Sequence, residues 1–239
     1  MSARRVRVRA VLFDLGGTLV DECDYAGWTE HARRLYLDFD PDDLRHAYQE
    51  IQTEMDAEPP VRDREARIFE FWRRALGRAA QKAVTDSTVA KFVRLERSAH
   101  RTQQLYSDAR RCLDQLRHEG RLLGVVSNST SEARVRQILD QVGVLDFFGR
   151  IVSSGTEGIE KPDPEIFRRA VSRMAVEPGD ALYVGDLANT DAKAAQAAGL
   201  VGVWLNREGF GYGEDPPEIT SLLEVPLCVQ RLERGLSIV

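Results

Sequence analysis

Cysteine is scarce in this chain of 239 residues, with three, at positions 23, 112 and 228, too far apart for metal-ligand spacing. An odd count does not suit a disulfide framework and points to a reducing compartment. No apolar run approaches the ~18 residues that a membrane span needs. The arginine-rich start runs directly into Asp14 and two glycines, leaving no room for the apolar stretch of a secretion signal. Internal repeats and low-complexity tracts are also missing. Positive charge is not in excess: 33 Lys and Arg stand against 38 Asp and Glu, a net charge of −5. That balance argues against a nucleic-acid partner or an anionic membrane. Arg4, Arg5, Arg7 and Arg9 partly alternate with valine, as in a strand entering a fold with its polar side solvated. Together these features predict a soluble cytoplasmic protein of ordinary globular composition.

Five short apolar runs read as strands, at residues 10–13, 122–126, 151–152, 181–184 and 201–205. They are continuously apolar rather than alternating, so both faces are expected to be buried, as in a parallel sheet. Helices are expected between them. One covers 108–118, with Ala109, Leu113 and Leu116 inward and Gly120 beyond its end. The next starts in a capping-box pattern, Ser129 to Glu132, and turns Val135, Ile138, Leu139 and Val142 inward. Asp163 and Pro164 open a third, with Phe167, Ala170, Val171 and Met174 on its inner face, and a fourth covers 191–198 before Gly199. Strands alternating with helices predict an α/β fold with a doubly wound, Rossmann-like parallel sheet, whose sites lie at the carboxyl ends of the strands.

Residues 21–106 break this rhythm and read as helical throughout. Leu44, Tyr48, Ile51 and Met55 share one face after the start signal Asp40-Pro41. After the link Glu58-Pro59-Pro60, Ile68, Phe69, Trp72 and Leu76 share another, with Gly77 as the stop. Val89, Phe92, Val93 and Glu96 suggest a further helix. These stripes read as the core of a bundle, and 14 Lys and Arg against 17 Asp and Glu make no basic platform. The expected domains are therefore a core of 1–20 with 107–239 and an α-helical insert of 21–106 over the carboxyl edge of the sheet.

Four stretches carry candidate chemistry. In Val11-Leu12-Phe13-Asp14-Leu15-Gly16-Gly17-Thr18-Leu19, a carboxylate stands at the mouth of a buried strand, and two glycines let backbone N–H groups curl toward an anion. The same residues also suit a plain Asp-initiated turn. In Val125-Val126-Ser127-Asn128 a hydroxyl and an amide follow a strand, as a phosphate cradle or as a helix cap. Lys161, between Gly158 and Pro162-Asp163-Pro164, is either a held point charge for a phosphate or a surface lysine. Asp186 and Asp191 flank the turn after Val184-Gly185, offering the hard oxygen ligands that magnesium prefers, with Asp191 equally suited to a helix N-terminus.

Taken in order, each at a strand's carboxyl end, the four stretches resemble the haloacid dehalogenase superfamily over nearly the whole chain. The resemblance implies a phosphatase-like hydrolase with Asp14 as nucleophile and, through its other oxygen, a magnesium ligand. It implies phosphate binding by Ser127 and Lys161 beside Asn128, Gly16 and Gly17, and a metal site of Asp14, the Gly16 carbonyl, Asp186 and Asp191. Thr18 matches the threonine after the first glycine turn. The insert resembles the family's type-1 cap, and the partner implied is a small phosphorylated metabolite.

Gly16 departs from the pattern, because most phosphatases of the family carry a second aspartate there as general acid and base. Loss of such a group costs ~10²–10⁴ in rate. The expected consequence is a preference for good leaving groups, such as acyl or sugar-1-phosphates, or a substitute such as His31, His46 or Glu22, or a slow enzyme whose use is binding. A metal-free 2-haloacid dehalogenase is the alternative enzyme, although its family members carry an aromatic residue at position 16 and lack the paired carboxylates of Asp186 and Asp191. Phosphonatase chemistry fits less well, since Lys82 and Lys91 are the insert's only lysines and neither has a Schiff-base setting. A binding or regulatory protein is the non-enzymatic alternative.

Overall fold

The computed structural model describes residues 7–59, 61, 63–98, 103–207, 209 and 215–238. Arg4, Arg5 and Pro60 lie outside the described residues. The chain begins with β1 (Ala10–Phe13) and β2 (Val20–Asp21), then the helices α1 (Tyr25–Arg33), α2 (Pro41–Ala57), α3 (Arg64–Ala79) and α4 (Asp86–Ser98). It continues with β3 (Gln104–Leu105), α5 (Ala109–His118), β4 (Leu122–Ser127), α6 (Glu132–Gln141), β5 (Arg150–Ser153), α7 (Ser154–Glu157) and α8 (Pro164–Arg173). The last part holds β6 (Ala181–Gly185), a π-helical turn (Ala188–Lys193), α9 (Ala194–Ala197), β7 (Val201–Leu205), β8 (Glu218–Ile219) and α10 (Val225–Glu233). Two compact units result, one of Met1–Glu22 with Gln103–Val239 and one of Cys23–Thr102.

The first unit is an α/β fold around a parallel six-stranded sheet of order β5-β4-β1-β6-β7-β8. Both faces of the central strands are buried, which explains their unbroken apolar runs. Val11 and Phe13 pack in one core with Leu113, Leu116, Val135 and Leu139. Ala10 and Leu12 pack in the other with Ile166, Phe167 and Ala195. Each such Leu or Phe contributes about 1.5–3 kcal/mol by leaving water. Before β1 the alternation predicted for the arginines is present, with Val8 buried and Arg7 and Arg9 exposed. Because β1 has β4 on one side and β6 on the other, the strand order reverses at β1, and crevices for ligands open at such a point.

The helix boundaries differ from expectation in three places. Helix α6 is capped by Ser131, whose hydroxyl accepts from the Arg134 N–H, rather than by Ser129. Ser129 instead turns its carbonyl to the Gly155 N–H, 2.9 Å away. The fourth expected helix begins earlier, as the π-helical turn that contains Asp191, and Gly77 lies inside α3 rather than at its end.

The second unit contains α1 to α4 around a core of Trp28, Leu44, Ile51, Trp72, Leu76 and Phe92. Trp72 meets Trp28 edge-on at 4.9 Å and lies tilted against Phe92 at 4.7 Å. The stretch expected to be helical throughout does contain strand: Asp21 and Val20 pair antiparallel with Gln104 and Leu105. Two-residue strands carry no periodicity to read. Among the described residues no helix is long and apolar enough to cross a membrane.

All three cysteines are free thiols. Burial in the first unit pushes the Cys228 thiol up to about 11 and Cys112 higher still, whereas Cys23 is half-buried. Reaction needs the thiolate. A chromogenic thiol reagent at pH 8 is therefore expected to titrate no more than one thiol per native chain, Cys23, and three after denaturation.

Candidate active site

Asp14 follows β1 directly, and its backbone N–H is held by the Val184 carbonyl at 2.9 Å. Neighbouring strands are in register with it: Phe13 pairs with Val125 of β4 and Val184 of β6. The chain ends of these strands therefore bring Ser127, Asn128 and Asp186 to the same edge as Asp14. Ser127 is buried, and its helix partner α6 starts only at Glu132.

Lys161 is the centre of the cluster, only 5% exposed. Its ammonium donates to Asp14 Oδ1 at 2.5 Å and Asp191 Oδ1 at 2.6 Å, and lies 3.0 Å from the Tyr183 hydroxyl. The surface-lysine alternative is thereby removed. Asn128 fixes the lysine's backbone from both sides: its Oδ1 accepts from Lys161 N at 2.8 Å and its Nδ2 donates to Lys161 O at 2.9 Å. The Asn128 amide, expected beside a substrate phosphate, is thus occupied in positioning Lys161.

Asp191 is both a first-turn residue of the π-helical segment and a member of the cluster. It is 1% exposed, inside the π-helical turn, where Oδ1 meets Lys161 and Tyr183 and Oδ2 accepts from the Leu187 N–H at 3.1 Å. π-Helical turns often occur at functional sites, because the extra residue aims a side chain inward. Gly185 has to lack a side chain here, since an added Cβ would strike the Asp191 carboxylate.

Carboxylate oxygens of Asp14, Asp186 and Asp191 all lie within 4.8 Å of one another. Three carboxylates lie beside one ammonium, and two of them, Asp14 and Asp186, are held above the usual carboxylate range. Burial pushes the Asp14 carboxyl up to about 7, against the pull of Lys161 and with a further push from Asp191. Asp186 is raised well above the usual range, first by burial and then by Asp14 and Asp191. Hard oxygen donors crowded with uncompensated negative charge fit a divalent cation such as magnesium.

The turn after Asp14 is tighter than the sequence suggested. Gly17 has φ 72°, and a Cβ there would overlap the Asp186 carboxylate, so both its conformation and its space demand glycine. Its N–H donates to the Val20 carbonyl at 3.0 Å, so it does not point toward an anion as expected. Thr18, which follows this turn, has no exposed surface, and its hydroxyl has no hydrogen-bond partner among the described residues.

Two contributors were missed by sequence reasoning. Tyr183 lies inside the apolar run of β6 and carries no signal that separates it from core. Arg207 follows β7, where a search of strand ends could have found it. Its guanidinium donates to the Thr18 carbonyl at 2.8 Å and to Asp108 at 2.9 and 3.2 Å, and lies 3.8 Å over the Tyr106 ring. Asp108 also accepts from Ser221 and from the Leu222 N–H.

Burial opposes ionisation of Asp108, but Arg207 and Leu222 together outweigh it and hold its carboxyl below the usual range. A depressed native value means stability that is complete above the unfolded-state pKa and lost as pH falls through the native one. Asp108→Asn is expected to cost about 1–3 kcal/mol near pH 7. The gap from the parent, measured by urea unfolding at stepwise lower pH, is expected to close in acid; a pH-independent gap would remove the Arg207–Asp108 pair as its cause.

Residues 8–199 match the family model for haloacid dehalogenase-like hydrolases. A glyceraldehyde 3-phosphate phosphatase from Methanopyrus kandleri is 32% identical over 214 residues, 84% of each chain. A HAD hydrolase of Bacillus subtilis, crystallised with magnesium, superimposes with a TM-score of 0.68 at 21% identity, covering 93% of this chain and 99% of that one. A 2-haloacid dehalogenase of Pseudomonas syringae does so at 0.57 with 26% identity, covering 94% and 99%.

Proposed function

The chain belongs to the haloacid dehalogenase-like hydrolase family, and on that premise we propose that it is a magnesium-dependent phosphatase of a small phosphorylated metabolite, with Asp14 as nucleophile. The observation that carries this reading is the set of Asp14, Asp186 and Asp191, the first and last buried and Asp186 half-buried, beside the buried Lys161, three acids to one base. A phosphate dianion cannot approach such a set without added positive charge. Asp14 and Asp186, with Asp191 beside them, would hold a magnesium ion, which would supply that positive charge.

The protein's own residues do the rest. Asp14 attacks phosphorus in line to give an aspartyl-phosphate, which water hydrolyses. Lys161 offsets charge on the nucleophile and on the transferring oxygens, held in place by Asn128 and Asp191. Ser127, at the end of β4, offers its hydroxyl to a phosphate oxygen. The Methanopyrus relative, named for a three-carbon phosphate ester, supports a substrate of that size class.

A dehalogenase reading has one observation in its favour, Gly16 in place of a second acid, together with the likeness to the Pseudomonas dehalogenase fold. It leaves the crowded carboxylates without a purpose, since attack on carbon requires no metal.

A screen of sugar phosphates, nucleotides and acyl phosphates, run with magnesium and with EDTA, separates the two. Phosphate release that requires magnesium is expected, together with a magnesium-dependent rise in Tm that Asp186→Asn abolishes. Asp14→Asn is expected to lower kcat by roughly 10³-fold or more. Chloride release from 2-chloropropionate that survives EDTA would overturn the phosphatase reading in favour of the dehalogenase.

A further inference from the structure

Ester cleavage at phosphorus needs a proton for the departing oxygen, then a base for the attacking water. Gly16, two residues beyond the nucleophile, provides neither. The turn doubles back immediately after it: Leu19 and Val20 donate to the Leu15 carbonyl at 2.9 Å each, and Gly16 bridges to Val20. This reversal lays residue 22 against residue 16. A Cβ built on Gly16 would overlap Oε2 of Glu22 and lie 2.9 Å from its Cδ, and its three nearest neighbours are all Glu22 atoms. The other oxygen, Oε1, accepts from Gln103 Nε2 at 3.3 Å, which steadies the carboxylate with Oε2 toward the turn.

The other acids of this edge are engaged differently. Asp14 and Asp191 bind Lys161, Asp186 crowds against Gly17, and Asp108 serves Arg207. Glu22 is only half-buried.

We propose that Glu22 is the general acid and base of this enzyme, a carboxylate contributed from the end of β2 into the space left open by Gly16. The assignment rests on the phosphatase reading above. In the first step the Asp14 oxygen bonds to phosphorus as the ester P–O bond breaks, and the Glu22 carboxyl gives its proton to the departing alkoxide. In the second, Glu22 as carboxylate takes a proton from water while the water oxygen bonds to phosphorus and the bond to Asp14 breaks. The sum is ester plus water to alcohol plus phosphate, with Glu22 reprotonated.

Glu22→Gln keeps the shape and removes the proton transfer. With phenyl phosphate, a poor leaving group, its kcat is expected to fall about 10²–10⁴-fold with KM little changed. With 4-nitrophenyl phosphate, whose leaving group needs no proton, the variant is expected to release about one equivalent of nitrophenolate per active site and then slow, because water has lost its base. In Gly16→Asp alone the new side chain and Glu22 compete for one space. The double variant Gly16→Asp/Glu22→Ala is therefore expected to recover phenyl phosphate turnover relative to Glu22→Ala. Wild-type rates for Glu22→Gln on both esters would overturn the proposal, as would a folded double variant no faster than Glu22→Ala. If the unaltered protein hydrolyses neither these esters nor any compound in the screen, the phosphatase reading fails and the role of Glu22 fails with it.

Discussion

Lys161 has almost no contact with solvent, and its ammonium sits between Asp14 and Asp191 at 2.5 and 2.6 Å. Moving a lone ammonium out of water costs several kcal/mol, so an ion in this position is tolerable only when its partners are already fixed around it. Three separate parts of the fold meet that condition. Strand β1 places Asp14, the π-helical turn after β6 places Asp191, and the Asn128 amide after β4 grips the lysine's own backbone. If any of the three shifted, a buried charge would lose a partner, and the cost of that loss holds the strand ends in register.

The same cluster is unbalanced by design of its composition. With Asp186 added, three carboxylates share one cation, and Asp14 is driven up to about 7 chiefly by burial. A site organised only for stability would match its charges, as Arg207 and Asp108 do on the far side of the turn. The contrast separates two tasks. Arg207 holds the backbone of Gly17 and Thr18 and stabilises, whereas the Asp14 cluster keeps a deficit of positive charge that a metal and a phosphate can use.

Much of the fold was legible locally. The runs at 10–13 and 201–205 correspond residue for residue to β1 and β7, because a strand buried on both faces has to be continuously apolar. Helix starts at Asp40-Pro41 and Asp163-Pro164 were legible for a similar reason: a capping side chain and a proline satisfy the same few atoms in every helix. Strands β2, β3 and β8 were not, since two residues show no period.

The amino-acid sequence by itself determined which acids follow strands, which lysine is held just before the helix start Asp163-Pro164, and that position 16 has no side chain. Strand, turn and cap chemistry act within a few residues, so they can be read along the chain. Only the tertiary structure decided what those residues touch. It turned Asn128 and Asp191 toward Lys161, buried Thr18, drew Tyr183 and Arg207 into the network, and laid Glu22 over Gly16. Contacts such as that of Lys161 with Asp14, 147 residues apart, or Arg207 with Thr18, 189 apart, follow from strand order and packing. No local pattern encodes them.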